Sequence, residues 1–414
     1  MKDHLFQFFA VGIRAFCSLS IQKWVAYHFG TNGFTLLSHF QNLIGICIAP
    51  LADGIYKGFI QKWQHQPSVL LWATALLFTW AFCIFFGTFL FFFPSIYTQF
   101  FEKSFFHFAL ILLVLFFILC NQFLLAWSAA LQKFLKMAFL TTFGLILSVL
   151  GVLFFGKTLE ACLWAYLLGQ GLAFWLSAFL LRKNIGQMLF VLKENFWQKP
   201  IFSEFGQNFS YLFRFLGVGV SIMIFSRLNT YLLREYTIFL FGLPKTGLWE
   251  AVLKISDSYT VLFHATISTV FFPKISLLFS QKTALKKYLL HIFAVIFLGA
   301  LVALSILFLL RRQLLELLFS SDFLAAQSLF FGVLLGDFFK FQAYLASNLL
   351  LAGNFLKTYT FIQFLMSLVY FLAALFFIQI FGFWGLQWGF FSSYFLSYLV
   401  GIFFMIKILK KREY

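Results

Sequence analysis

The sequence predicts an all-α integral membrane protein of about twelve transmembrane helices, in two six-helix lobes related by pseudo-two-fold symmetry. Three observations predict it. The 414 residues are 62% hydrophobic and only 10% charged, with a mean hydropathy of +0.94, values foreign to a soluble globular domain. Apolar stretches long enough to cross about 30 Å of hydrocarbon recur twelve times. The longest loop divides those stretches six to six, and an even number of crossings leaves both halves in the same orientation. That is the arrangement of a parallel repeat, with its axis along the membrane normal. No residue-level repeat is visible, so the duplication rests on hydropathy and count.

In the first half the spans fall at Leu5–Tyr27, Phe34–Tyr56, Val69–Phe93, Phe105–Trp127, Met137–Phe155 and Ala161–Leu181. In the second half they fall at Phe205–Leu232, Gly247–Phe272, Leu289–Leu310, Phe323–Leu351, Tyr359–Phe381 and Phe383–Ile408. The domain boundaries that follow are an N-terminal lobe over 1–181, an inter-lobe loop over 182–204 and a C-terminal lobe over 205–414. Five of the six prolines sit at span ends or in loops, where a missing N–H does little harm. Pro50 lies inside the second span and should kink it, which membrane helices tolerate.

Charge orients the chain. With both termini inside, eighteen Lys and Arg fall in the cytoplasmic segments against six on the other side, a threefold bias that places both termini in the cytoplasm. The net charge of +17 is dispersed among loops. No long basic arm exists, which argues against nucleic-acid binding. The first apolar stretch contains Arg14 and Lys23 and lacks a short h-region with a cleavage site, so it reads as a span that stays. The five cysteines lie in apolar spans of the first half, are odd in number and form no C-x-x-C pair. They read as small buried hydrophobes, not a disulfide framework or metal site. The 68 Phe read as an AT-rich genome's choice of apolar residue.

The candidate functional residues are the ions inside the spans. A charge at the bilayer centre costs roughly 2.5–3.5 kcal/mol even on the mild insertion scale. Six cations (Arg14, Lys23, Arg214, Arg227, Lys254, Lys340) and four acids (Asp53, Glu250, Asp257, Asp337) lie within spans. The densest group is in the eighth span. At 100° per residue Glu250, Lys254, Asp257 and His264 share one narrow stripe, and Ser268 returns to it. Such a stripe must face a wet cavity or partner charges, which points toward transport. Glu250–Lys254 and Lys254–Asp257 have spacings that allow self-pairing, and Asp337–Lys340 repeats the i,i+3 relation in the tenth span. His264 is a candidate proton carrier, against the bland alternative of a hydrogen-bonded structural residue. Gln342, Tyr344 and Asn348 add polar groups to the tenth span, and His39, Asn42 and Asp53 lie on one side of the second.

The net basic balance favours an anionic substrate. Two unit charges about 4 Å apart at an effective dielectric near 20 interact by about 4 kcal/mol. Several cations therefore offset much of the penalty of moving a diphosphate off the membrane surface. Arg14 in the first span and Arg214 in the seventh are the expected diphosphate ligands, one in each half. The bland alternative for Arg14 is an ion pair to Asp53. Lys23 and Arg227 lie nearer helix ends and can snorkel. Nothing resembles an enzyme site: paired carboxylates in a soluble loop, a Gly-rich phosphate cradle and His/Cys/Asp metal spacing are all missing from the sequence. No cofactor is expected.

Three stretches resemble the Wzx-type flippases, the O-antigen and enterobacterial-common-antigen lipid III translocases of the multidrug/oligosaccharidyl-lipid/polysaccharide exporter superfamily. The first is Phe29-Gly30, Phe40-Gln41-Asn42-Leu43-Ile44 and Gly54-Ile55-Tyr56-Lys57-Gly58. The second is Gly247-Leu248-Trp249-Glu250 with Ile255-Ser256-Asp257-Ser258-Tyr259, closed by Pro273; the third is Gly336-Asp337-Phe338-Phe339-Lys340 with Ala343-Tyr344. The resemblance spans essentially the whole chain. It implies a twelve-helix V-shaped fold in a bacterial inner membrane. It also implies alternating access that carries undecaprenyl-diphosphate-linked oligosaccharide from the cytoplasmic to the periplasmic leaflet. The implied partners are that glycan lipid and the surrounding membrane lipid, with a glycan polymerase and chain-length regulator as further candidates. On this reading Arg14, Arg214, Lys254, Asp257 and Lys340 bind substrate, and Asp53, Glu250, His264 and Asp337 couple or gate. This chain carries Phe where much of the family has Ala, Gly or Leu, so cavity shape does not transfer. The rival expectation is a cation-coupled drug or metabolite antiporter of the same superfamily, which calls for an acidic cavity. A glycan polymerase or ligase would need a large outer loop, and the outer loops here are short.

Overall fold

The computed structural model describes residues 2–195, 201–267, 271–279, 281–353 and 355–411. Within them the chain is helical, with no strand. The helices are α1 (Lys2–Ala49), α2 (Tyr56–His65), α3 (Val69–Phe92), α4 (Ser95–Thr98), α5 (Phe105–Ala130), α6 (Phe134–Phe155), α7 (Leu159–Asn195) and α8 (Ile201–Ile222). They continue as α9 (Asn229–Thr266), α10 (Phe272–Leu278), α11 (Lys282–Leu309), α12 (Arg311–Leu318), α13 (Phe330–Ala352), α14 (Leu356–Phe381) and α15 (Gly385–Lys411). Two π-helical segments, Pro50–Ile55 and Met223–Leu228, join α1 to α2 and α8 to α9.

Nine runs among the described residues are long and apolar enough to cross a membrane. Three of them, of 56, 62 and 53 residues, are more than twice the roughly 20 residues one crossing needs. Each of the three breaks at a glycine in the left-handed region: Gly30 (φ 61°), Gly242 (φ 79°) and Gly382 (φ 57°). With no Cβ, glycine turns the chain there without the clash other residues meet. Each long run is therefore two crossings joined by a one-glycine elbow, and the expected twelve are accounted for. Gly30 joins the first and second spans and Gly242 the seventh and eighth, the same place in each half. The chain is a multi-pass membrane protein. Its many outward Phe side chains, such as Phe85, Phe92 and Phe105, suit a surface solvated by lipid.

The chain forms two compact units. Unit 1 takes the residues up to Val25 with Leu36–Leu228, and unit 2 takes Ala26–Thr35 with Asn229 onward. The division thus falls after Leu228, whereas the sequence pattern divides the chain at 182–204. Residues 182–195 of that segment continue α7 as helix, and 196–200 lie outside the described residues.

Glycine contacts explain why α8 belongs to unit 1. A Cβ on Gly219 would sit 2.4 Å from the Pro50 carbonyl oxygen and 2.8 Å from the Gly54 Cα. A Cβ on Gly58 would strike the Phe215 ring at 2.5 Å. The small residues let α8 lie directly on the π segment and α2. The kink expected at Pro50 is this π segment, since proline removes one helical hydrogen bond and the ladder re-forms with a wider turn. An aromatic core of Phe59, Trp63, Trp72, Phe123 and Trp127 fills the rest of unit 1.

Unit 2 is built around Trp249, Phe319, Phe323, Phe330 and Phe341. The Gly30 elbow docks into it through Phe34, whose ring meets Phe319 and Phe323 edge-on at 5.0 and 5.3 Å. The hydroxyl of Thr35 donates to the Leu243 carbonyl at 2.8 Å. Gly247 lets the Thr31 carbonyl approach to within 2.4 Å of where a Cβ would stand. The two elbows are thereby stapled together.

Candidate functional site

The span ions divide unevenly between the two units, with most of the cations in unit 1 and most of the acids in unit 2. Unit 1 holds Arg14, Lys23, Asp53, Arg214 and Arg227; unit 2 holds Glu250, Lys254, Asp257, His264, Asp337 and Lys340. Arg14 and Arg214, expected in opposite halves, therefore share one unit, because α8 packs with the first half. Ser268, expected on the eighth-span stripe, lies outside the described residues.

In unit 1 the cations stand apart from carboxylates. Arg14 is half-buried, and its Nε reaches only the Ala10 carbonyl of its own helix, at 3.4 Å. One turn on, Ser18 accepts from the buried Gln22 at 3.3 Å. Arg214, Arg227 and Lys23 are exposed. The Arg227 side chain crosses over Gly45, with Cδ, Nη1 and Cζ 3.7–3.8 Å from a Cβ placed there. The Arg227 carbonyl accepts from Asn42 at 3.2 Å. Asp53, the carboxylate offered to Arg14 as a purely structural partner, instead pairs with Lys57 one turn on, at 2.8 Å. Among the described residues no carboxylate lies within ion-pair distance of Arg14, Lys23, Arg214 or Arg227.

Unit 2 pairs two of its buried acids with basic side chains. Glu250 does not pair with Lys254 as its spacing allows. It receives Arg234 in a two-pronged bond, Nε to Oε1 and Nη2 to Oε2, each 2.7 Å. Both side chains are almost fully buried, at 6% and 3% exposure, and their planar fork geometry is the strong form of this contact. Arg234 stands eight residues before Gly242 and Glu250 eight after it. The pair therefore clamps the two arms of the elbow. Arg234 lies just past Leu232, where the apolar stretch of the seventh span ends, so span hydropathy does not pick it out.

Asp337 is completely buried. Its Oδ2 accepts from the Ser256 hydroxyl at 2.7 Å and from the Tyr259 hydroxyl. Its Oδ1 faces Lys340 Nζ at 3.5 Å. Lys340 is itself buried, with its ammonium 5.1 Å above the Tyr394 ring and 5.6 Å above Phe390, a cation–π cradle. The i,i+3 pairing of Asp337 with Lys340 thus forms as expected. Ser256, Tyr259 and Tyr394 complete it, and no spacing rule pointed to them as its partners. His264 packs its ring on Tyr344, and Asp257 is exposed. A buried carboxylate with two hydroxyl donors and one ammonium can hold or release a proton, or exchange one cation for another. Among the described residues no cluster of three His, Cys, Asp or Glu side chains could hold a metal ion.

No protein-family model matches the chain, and no curated protein matches it. Solved structures do. A multidrug resistance MATE family transporter of the MOP superfamily, in its inward-facing conformation, superposes with a TM-score of 0.71 at 13% identity over 99% of both chains. The lipid II flippase MurJ in an inward closed conformation gives 0.71 at 14% identity, over 98% of this chain and 89% of that one. A MOP superfamily transporter from Pyrococcus furiosus gives 0.65 at 14% identity, over 98% and 95%. The fold is that of the MOP superfamily transporters.

Proposed function

We propose that this chain is a flippase that moves undecaprenyl-diphosphate-linked oligosaccharide, of the O-antigen or lipid III type, from the cytoplasmic to the periplasmic leaflet of a bacterial inner membrane by alternating access. The observation that carries this reading is the set of four span cations in unit 1, Arg14, Lys23, Arg214 and Arg227, with no carboxylate partner among the described residues. Ions kept within spans without a counter-charge are functional by default, and a diphosphate is a counter-charge that arrives with the substrate. Arg14 and Arg214 bind it. Glu250, Lys254, Asp257, His264, Asp337 and Lys340 change partners during the cycle, and Asp53 couples or gates through its exchange with Lys57.

The fold supports the reading, since one structural neighbour is a lipid II flippase. Another carries the description that the reverse polarity of its binding pocket suggests a different function within the superfamily. A second reading, cation-coupled antiport of a drug or metabolite, is favoured by the buried Asp337 site and by the multidrug transporters among the neighbours.

The test is flipping in proteoliposomes loaded with defined undecaprenyl-diphosphate oligosaccharides. Access of an added glycosidase or lectin reads the leaflet. Protein-dependent movement that is lost in Arg14→Gln and Arg214→Gln supports the flippase. Folded protein that moves no glycan, yet takes up organic cations in an Asp337-dependent way, establishes the antiporter instead.

A further inference from the structure

The helix α8 divides its exposed surface into two bands. At about 100° per residue, Ser203, Gln207, Ser210, Arg214 and Ser221 fall within an arc of about 60°. From Ser203 to Ile222 no other residue falls in that arc, so every side chain along it is polar. Ser203, Gln207, Ser210 and Arg214 are exposed, and Ser221 is partly exposed. The packed residues Asn208, Leu212 and Gly219 lie on the opposite side of the helix. At about 1.5 Å per residue the arc runs about 27 Å, close to the roughly 30 Å of hydrocarbon.

Phe209 and Phe213 form the second band, exposed and roughly 90–130° round the helix from the middle of the arc. Phenylalanine suits hydrocarbon, but the arc does not. An ionised side chain near the middle of a span turns toward water or a partner charge, and Arg214 has no carboxylate within ion-pair distance among the described residues. Nor do the side chains of Gln207 and Ser210 have a hydrogen-bond partner among the described residues. Ser221 donates to the Gly217 carbonyl at 2.8 Å, which leaves its oxygen able to accept. One helix therefore borders water along one band and lipid along the next.

We propose, resting on the flippase reading, that the polar arc of α8 is the path of the glycan headgroup, with Arg214 for the diphosphate and Gln207, Ser210 and Ser221 for the sugar hydroxyls. Hydroxyls and a carboxamide both donate and accept hydrogen bonds, which is what a sugar hydroxyl asks of a partner. A path for several ions would carry further charges, and a path for an acyl chain would carry none of these groups. The polar side chains stand about one to two turns apart, so a hydroxyl released by one is within reach of the next as the headgroup advances. The Phe209–Phe213 band beside the arc meets the hydrocarbon, where the polyprenyl tail remains.

The test uses the full chain in proteoliposomes. A charged, water-soluble thiol reagent, present on both sides of the membrane, is applied to Ser210→Cys, Ser221→Cys and Phe213→Cys. The two arc positions are expected to label at least tenfold faster than Phe213→Cys, and equal rates overturn the proposal. Flipping of an undecaprenyl-diphosphate pentasaccharide is then compared between the parent and the triple change Gln207→Leu, Ser210→Val and Ser221→Val. The triple change should slow flipping at least tenfold, while affinity for sugar-free undecaprenyl diphosphate stays within twofold of the parent's. Flipping at the parental rate in the triple variant overturns the sugar assignment and leaves the flippase reading standing. So does a tenfold loss of diphosphate affinity, since the sugars are then not what those side chains serve. A parent chain that flips no glycan removes the flippase reading and this assignment with it. If the triple variant fails to fold, labelling of Ser221→Cys decides: the pentasaccharide lipid should slow it at least threefold and the sugar-free lipid should not, and equal labelling with both overturns the proposal.

Discussion

Unit 1 and unit 2 handle the same problem, charge in a low-dielectric solvent, in opposite ways. Unit 2 surrounds each buried ion with protein: Arg234 grips Glu250 with two bonds, and Asp337 is held by Ser256, Tyr259 and Lys340. Unit 1 leaves Arg14, Arg214 and Arg227 without a carboxylate among the described residues, and its one span acid, Asp53, pairs with Lys57 one turn on. A satisfied ion pair braces the state in which it forms. An ion without a partner is available to whatever anion comes. The difference teaches that counting charges per span misses how they are placed: unit 2 pairs its buried ions within its own fold, and unit 1 leaves its span cations without a carboxylate among the described residues.

Four experiments break or sharpen that contrast. The largest effect on stability is expected at the elbow clamp. Arg234→Ala or Glu250→Ala alone leaves the other charge buried and uncompensated, at about 3–5 kcal/mol. The double change to Met at both positions should cost far less than the sum, read from thermal unfolding in detergent. A double change as damaging as the two singles together would show that the pair is not the unit of neutralisation. Next comes Asp337→Asn, which strips Lys340 of its counter-charge. It should cost about 1–3 kcal/mol, with much of the loss recovered when Lys340→Gln is added.

Gly219→Ala should cost about 1–3 kcal/mol by overpacking, because the new methyl meets the Pro50 carbonyl rather than a side chain that can move aside. Gly217→Ala on the same helix, where nothing lies within 4 Å of the added atom, is its control. The smallest stability effect is expected at Arg14→Gln and Arg214→Gln, within about 0.5 kcal/mol, although transport should fall at least tenfold. A large loss of stability at either would mean that unit 1's cations are structural too, and the contrast between the units would collapse.

Much of this was legible in the sequence because a membrane imposes a length. Twenty apolar residues make one crossing whatever their packing, so the all-α class and the crossings emerge from hydropathy alone. The i,i+3 relation of Asp337 to Lys340 was legible for the same reason, being local to one helix. Contacts between distant segments were not. Nothing in the pattern joins Arg234 to Glu250, since their meeting depends on one positive φ at Gly242. Nor does it move α8 into unit 1, which follows from Gly54, Gly58 and Gly219 letting backbones touch. Those glycines look like ordinary small residues in an apolar run. Spacing lets Glu250 meet Lys254, but spacing says only which residues can meet, and geometry across the elbow gives Glu250 the Arg234 fork.

The elbow clamp has a consequence for how the chain is made. Two spans joined at one glycine have almost no loop between them, so a hairpin that entered the bilayer whole would carry both arms together. Arg234 and Glu250 are on opposite arms of that hairpin, equally far from its tip. Each alone would resist leaving water by about 2.5–3.5 kcal/mol. Paired, they would cross as one neutral object, so the contact that braces unit 2 would also lower the cost of inserting it.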